Sequence, residues 1–557
     1  MILDTRAGPG AAGEAVRASA AVWLAAAVAA LGGLLFGYDW VVIGGAKPFY
    51  EAAFGLTLPS EQAWAVSCAL IGCLMGAMAS GGLSDRFGRR PALLVAALLF
   101  AVSSIGTALA GSFGAFVAWR ILGGVAIGMA SGLAPLYIAE IAPPASRGRL
   151  VVLNQIGIVV GLLAAQIVNW LIAMPVPAGT DAAAIAASWN GTAGWRWMFA
   201  AAAVPAIVFL LGCLFIPESP RWLAQRGRHD RAGAVLALLG GETYAARALA
   251  EIRAALADAP GRSLSAVVAE PRLRRVLGIA IMLAVLQQWC GINVIFNYAQ
   301  EIFASAGYAV SDTLFNIVIT GVVNMVFTLV ALGTIERLGR RRLMLIGCGG
   351  LAGIYLLLGG CYVAGMQGWP LLLLVVAAIA IYALTLAPVT WVALSEILPG
   401  EARGASMAVA TTSLWSACFL LTYSFPLINA AAGTGATFWL YALVCVAGFG
   451  FVWTHLPETR GRTLEEIDPA RRRPRRAVGR GERRARPRPV VGADPRGASD
   501  ARSPCRAQGR EGDVDVTAVQ LADGRRRCAC ARYIYASLSG LDPPSAPRPL
   551  DGYPIYI

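Results

Sequence analysis

Two ionisable residues stand where charge is expensive: Asp39 and Arg120 each lie inside a long apolar run. A charged side chain at mid-bilayer costs about 2.5–3.5 kcal/mol on insertion scales, so each needs a reason. Asp39 lies five residues short of the end of its run near Gly44, ~7–8 Å deep, and Arg120 lies seven residues past the start of another near Phe113, ~10 Å deep. At similar depth the two can pair. One reading is a static buried ion pair. The other is a proton site, in which a close Arg120 favours the charged carboxylate and separation in a low dielectric lets Asp39 take a proton.

A third run carries amides instead of charges: Gln287, Gln288, Asn293 and Asn297. At ~100° per residue, Gln287, Asn293 and Asn297 share a sector of ~120°, while Gln288 points ~140° away from Asn293 on a straight helix. Gly291 between them allows local unwinding that turns both glutamines inward. Amides donate and accept, as hydroxyls do. A lone amide in such a run is ordinary helix-packing glue; a cluster in one run reads as a binding face.

These residues require a lipid-embedded scaffold, and the composition supplies one. Of 557 residues, 57% are hydrophobic and 14% charged, against a usual ~45–50% and ~25%. A disordered chain is excluded and a water-soluble globule disfavoured. Residues from Ala470 on hold 19 basic and 9 acidic side chains, leaving 27 and 23 in the preceding body. The net charge of +14 thus belongs mainly to the tail, and the body is no nucleic-acid binder. Eight of eleven cysteines lie in apolar runs, no CxxC pair occurs, and the histidines are only His229 and His455. Neither a disulfide framework, a metal site nor a cofactor is expected, and an enzyme is disfavoured.

The fold class expected is an all-α membrane protein with spans near 21–45, 61–81, 91–110, 113–138, 149–172, 195–216, 273–300, 311–334, 343–365, 369–394, 404–428 and 436–455. The first run lacks a small-residue cleavage site and reads as a true span. Arginines concentrate in the breaks after spans 2, 4, 6, 8 and 10, which places both termini in the cytoplasm of a multi-pass protein of the cell membrane. The expected organisation is a cytoplasmic N-terminus at 1–20, six spans over 21–216, a helical cytoplasmic linker at 217–272, six spans over 273–456, a juxtamembrane segment at 457–469, and a disordered Arg/Pro-rich tail at 470–557. The tail also has the composition of an out-of-frame extension of a GC-rich gene.

The halves share their punctuation. Gly81-Gly-Leu-Ser-Asp85-Arg86-Phe-Gly88-Arg89-Arg90 after span 2 matches Gly333-Thr-Ile-Glu336-Arg337-Leu-Gly339-Arg340-Arg341 after span 8. Glu140-Ile-Ala-Pro143-Pro-Ala-Ser-Arg147-Gly148 after span 4 matches Glu396-Ile-Leu-Pro399-Gly-Glu-Ala-Arg403-Gly404 after span 10. One Arg-rich loop is ordinarily a topology anchor; two signatures repeated at matching places mark a 6+6 duplication.

With Pro217-Glu218-Ser219-Pro220-Arg221, Gln287-Gln288-x-x-Gly291-Ile292-Asn293 and Pro457-Glu458-Thr459-Arg460-Gly461, these motifs resemble the sugar porter family of the major facilitator superfamily over roughly residues 20–465. The loop ending in Gly194-Trp195-Arg196-Trp197 is most similar to bacterial xylose–proton symporters. The resemblance implies two six-helix bundles rocking about a central sugar site. It implies further sugar contacts at Gln155, Asn324 and Trp391, with Phe36 and Trp415 as aromatic walls. Proton-coupled members carry an acid at the position of Asp39. A cytoplasmic latch is expected from Asp85, Arg86, Arg89, Glu140 and Arg147 in one half and Glu336, Arg337, Arg340, Glu396 and Arg403 in the other, closing when the inner mouth shuts. Asn297, Leu414, Leu162 and Ala387 depart from the family pattern and leave the particular sugar open.

The function expected is proton-coupled symport of a monosaccharide, pentose or hexose, with the sugar, the proton and the lipid bilayer as partners and a monomer as the working unit. A uniporter is the nearest alternative, a non-transporting sugar receptor and a drug-efflux antiporter the more distant ones. Every site residue precedes residue 470, so a chain ending at Ala470 should insert, stay monodisperse in detergent and bind sugar with unchanged affinity. Size-exclusion profiles and binding isotherms of the shortened and full chains check this.

Overall fold

Lipid offers no partner to backbone N–H and C=O groups, so a chain that crosses it closes its own hydrogen bonds in helices. The computed structural model describes residues 19–144, 146–177, 180–257, 264–398, 403–456 and 458. All regular elements among them are helical. The segment 1–18, the remainder of 457–469, the tail 470–557 and the side chains of Glu336 and Arg403 lie outside the described residues.

Among the described residues, eleven helices are long and apolar enough to cross a membrane. Spans 1 to 6 are Ala20–Phe54, Pro59–Phe87, Arg89–Ala108, Phe113–Ile141, Arg147–Ile172 and Asn190–Phe215. Span 7 is Pro271–Asn297, span 8 Val310–Leu338, span 9 Arg340–Val363 and span 10 Trp369–Ile397. The last helical stretch, Arg403–His455, contains spans 11 and 12, joined at Gly433, where φ 80 and ψ 162 are not helical. Twelve spans result. Helices Pro220–Gln225, His229–Gly240, Glu242–Ala257 and Leu264–Ala269 form the linker between the two sets of six.

Span 1 runs well past its expected end near residue 45, to Phe54, and so takes Lys47 and Glu51 into the helix. The reason is local: the two pair at 2.7 Å as i and i+4 neighbours, while Phe49 and Tyr50 between them are fully buried. Gly55 then ends the helix in the left-handed region.

Close helix crossings set the frame of the first half. A Cβ at Gly37 would strike the backbone of Ile158 and one at Gly161 that of Leu34, so spans 1 and 5 touch backbone to backbone. Small residues permit such approaches where lipid provides no hydrophobic drive between helices.

Spans 7 and 10 are each interrupted. Span 7 breaks at Gly291, φ 85, between helices Pro271–Trp289 and Ile292–Asn297. Span 10 breaks at Thr385, φ −122 and ψ −86, between Trp369–Leu384 and Leu386–Ile397. At Gly291 an added Cβ would also meet the Tyr441 ring 2.7 Å away. Gly291→Ala should therefore cost about 1–3 kcal/mol through backbone strain and ring displacement, seen as a lowered Tm and weakened sugar binding.

Candidate functional site

Packing of spans 1, 2 and 4 places the first charged pair. Arg120 donates from Nη1 to Asp39 Oδ1 at 2.6 Å, and its guanidinium lies 5.4 Å from the centre of the Phe199 ring on span 6. Both are buried. Asp39 Oδ2 and Arg120 Nε have no hydrogen-bond partner. A cavity of about 20 Å³, measured as space open to a water's centre, adjoins the pair, and Asn297 of span 7 lines it too. The adjacent Tyr38 hydroxyl donates to the Met198 carbonyl at 3.2 Å, which fixes span 1 against span 6 beside the pair.

The break at Gly291 does to the amides what a straight helix cannot. Gln287 and Gln288 are both buried, and they join Asn293 in one chain. Asn293 Nδ2 donates to Gln288 Oε1, Gln288 Nε2 reaches Gln287 Oε1 at 3.5 Å, and Gln287 Nε2 donates to the Ala387 carbonyl of span 10 at 3.2 Å. Trp289 Nε1 donates to Ala417 O at 3.0 Å and Asn293 contacts Cys418, which holds span 7 on span 11.

One turn from Cys418 along span 11, Trp415 meets Phe36 at 5.9 Å and Trp40 at 6.0 Å between ring centroids. The two halves thus share one aromatic cluster, and Trp415 Nε1 is buried with no partner. Gln155 on span 5 is half-buried, Asn324 on span 8 buried and Trp391 on span 10 exposed at 40%. No hydrogen bond joins these three to the span-7 chain among the described residues.

Of the expected latch residues, Asp85, Arg89 and Glu140 come together in the first half and Arg340 and Glu396 in the second. Arg89 holds Glu140 through Nε and Nη2 at 3.0 and 3.2 Å and Asp85 at 3.0 Å. Arg340 holds Glu396 at 2.8 Å. Each of these pairs ties helices of its own half. Arg86, Arg147 and Arg337 are exposed.

The structure adds three features to the expected set. Glu218 accepts the backbone N–H groups of Arg89 and Arg90 at 2.9 and 3.3 Å, and Glu458 accepts that of Arg340 at 3.1 Å, so each repeat caps the start of its third helix with a carboxylate. Burial raises the Glu218 carboxyl above its ordinary range, against the pull of the N–H groups of Ser219, Arg90 and Arg89 and the Arg89 charge. Second, Trp40 touches both the ring cluster and the cavity beside Asp39. Third, Lys47 pairs across the halves with Glu301 and lies 5.4 Å from the Tyr298 ring centre, at the end of the molecule away from the linker. The repeated motif gave the caps a signal in Pro217-Glu218 and Pro457-Glu458; nothing in the pattern of either half announced the Lys47 pair.

A twelve-span helical fold with a buried ion pair, an amide chain and a shared aromatic cluster at the meeting of its halves defines a secondary transporter of the major facilitator type. The chain belongs to the family described as "Sugar (and other) transporter", whose match covers residues 25–470. It is 38% identical over 475 residues to the D-xylose-proton symporter of Escherichia coli K12, covering 79% of this chain and 94% of that one. It is 38% identical over 448 residues to the arabinose-proton symporter of Bacillus subtilis, covering 80% and 94%. Among solved structures, the partially occluded inward open conformation of the xylose transporter XylE from E. coli matches with a TM-score of 0.70 at 36% identity, covering 80% of this chain and all of that one.

If the amide chain and ring cluster bind a ligand, removing one member leaves partners unpaired in a dry site. Gln288→Ala, Asn293→Ala and Trp415→Ala should each lower sugar affinity about 5- to 150-fold with normal expression, as read by calorimetry on the purified variants.

Proposed function

We propose that this chain is a proton-coupled symporter of a monosaccharide, a pentose or hexose, working by alternating access in the cell membrane with both termini in the cytoplasm. The observation that carries it is the buried Asp39–Arg120 pair, with an unpaired carboxylate oxygen, next to amides and aromatic rings contributed from both halves. A charge pair in an apolar interior is costly to assemble and costly to break, which suits a carboxylate whose charge is relieved once in each cycle. The names of the xylose and arabinose relatives support the same reading.

The sugar is held by groups that donate and accept. The span-7 amides, with Gln155 and Asn324, face its hydroxyls, and Phe36, Trp391 and Trp415 pack on its C–H surface. The proton resides on Asp39, and Arg120 stabilises the carboxylate after release. Each half moves as a unit because its own arginine cluster ties its linker-side helix ends. The Lys47–Glu301 pair joins the halves at the extracellular end, so this conformation faces the cytoplasm. Its likeness to the inward open transporter agrees with that.

Two outcomes test this. Asp39→Asn should abolish uphill sugar uptake driven by a pH gradient in proteoliposomes and retain counterflow of D-xylose, L-arabinose or D-glucose, whichever binds; concentrative uptake by that variant contradicts symport, and wild-type uptake that stops at equal concentrations marks a uniporter. Replacing Lys47 by Met should loosen the extracellular closure, so that a cysteine in place of Ile43, which lines the cavity beside Asp39, reacts with an impermeant maleimide several-fold faster than in the wild-type background.

A further inference from the structure

The cavity beside Asp39 is walled mainly by spans 1, 2 and 4, and the second half of the protein contributes one lining residue, Asn297. Asn297 is 4% exposed, Arg120 3% and Asp39 8%. Each carries a buried polar atom with no partner: Asn297 Oδ1, Arg120 Nε and Asp39 Oδ2. The cavity, about 20 Å³, has room for one water. A water donates two hydrogen bonds and accepts others, and these three atoms are two acceptors and one donor, so their needs match those of one water.

Asn297 is brought there by the contact between halves. The carbonyl of Phe296 lies 2.8 Å and that of Asn297 3.1 Å from where a Cβ on Gly44 would stand, and Lys47 and Glu301 pair just beyond. When the halves part at this end, Asn297 leaves Asp39. Protonation also changes the match: a carboxylic acid at Oδ2 becomes a second donor, and a water that accepts from it and from Arg120 Nε has one hydrogen left without a partner.

We propose that Asn297 is a positioning residue for proton coupling, which through one water ties the ionised form of Asp39 to the conformation shut at the Lys47 end. This rests on the reading of Asp39 as the proton site. The amide, which its helical sector placed among the sugar contacts, then favours proton release while the protein faces the linker side. The other charged or titratable groups about Asp39 are Arg120 from span 4, Cys68 and Cys73 from span 2, Tyr38 and Tyr50 on span 1 itself and Cys418 from span 11. Lys47, Glu51 and Glu301 lie farther along toward the shut end. Of these, Arg120 is the one in direct contact with the carboxylate.

The test is the pH profile of sugar counterflow, with equal pH on both sides of the proteoliposome membrane, using D-xylose, L-arabinose and D-glucose as probes. Asn297→Ala should raise the proton affinity of the site about 3- to 10-fold, moving the profile about half to one pH unit toward alkaline pH. Asn297→Gln, which restores an amide, should recover part of that shift, and Asn297→Ser serves if the alanine variant does not fold. An unmoved profile in the folded variants overturns the inference; lost sugar affinity with an unmoved profile makes Asn297 a sugar ligand only. Asp39→Asn run in parallel separates the two levels. A flat profile there with unmoved Asn297 variants sinks this inference alone, whereas wild-type pH dependence in Asp39→Asn sinks the proton-site reading beneath it.

Discussion

The structure turns on one interaction, the ion pair between Asp39 and Arg120 in the apolar interior of the first half. Bringing two charges out of water is repaid only by close geometry, and removing one partner of such a pair typically costs about 3–5 kcal/mol. The surrounding helices are arranged accordingly. Gly37 and Gly161 draw spans 1 and 5 together, Tyr38 pins span 1 to span 6, and the Phe199 ring faces the guanidinium. Among the described residues, one oxygen and one nitrogen of the pair have no protein partner, and the small cavity beside them has room for a water.

Duplication explains how the rest moves about this point. Each half closes its linker-side end with its own arginine, Arg89 or Arg340, held by an acid two helices of sequence away, and each caps its third helix with a carboxylate from after its sixth, Glu218 or Glu458. Such ties make each half rigid. Contacts between the halves include the Phe36, Trp40 and Trp415 rings, the close backbones at Gly44, the Lys47–Glu301 pair, and the packing of span 2 on the Arg403–His455 stretch and of span 5 on span 8, where Trp170 meets Phe315.

Much of this was legible in the sequence because membrane insertion leaves coarse, one-dimensional marks. Hydropathy marked the spans, arginine spacing the duplication, and the cost of intramembrane charge singled out Asp39 and Arg120 with their common depth. Gly291 signalled the break that brings Asn293 to Gln288, because on a straight helix the two point ~140° apart. Relations across the halves were not legible. Lys47 looked like a residue beyond the end of span 1, since the neighbours that bury it, Tyr50 and Tyr298 among them, lie on its own helix and on one 250 residues away. Asn297 shared a helical sector with Gln287 and Asn293, yet the break at Gly291 and the close approach at Gly44 carry it to the cavity beside the ion pair. The described arginine pairs lie within each half, because spans 2 to 4 and 8 to 10 bring motif partners together inside one repeat.

The central claim is that sugar and proton meet through Asp39. The most direct measurement is proton uptake by the purified protein in unbuffered detergent solution when a binding sugar is added near neutral pH. The account predicts an alkalinisation of up to about one proton per bound sugar, absent when Asp39 is replaced by Asn although the sugar still binds. Sugar binding with no proton change in the wild-type protein across the pH range, or an equal change in the Asp39→Asn protein, would contradict it.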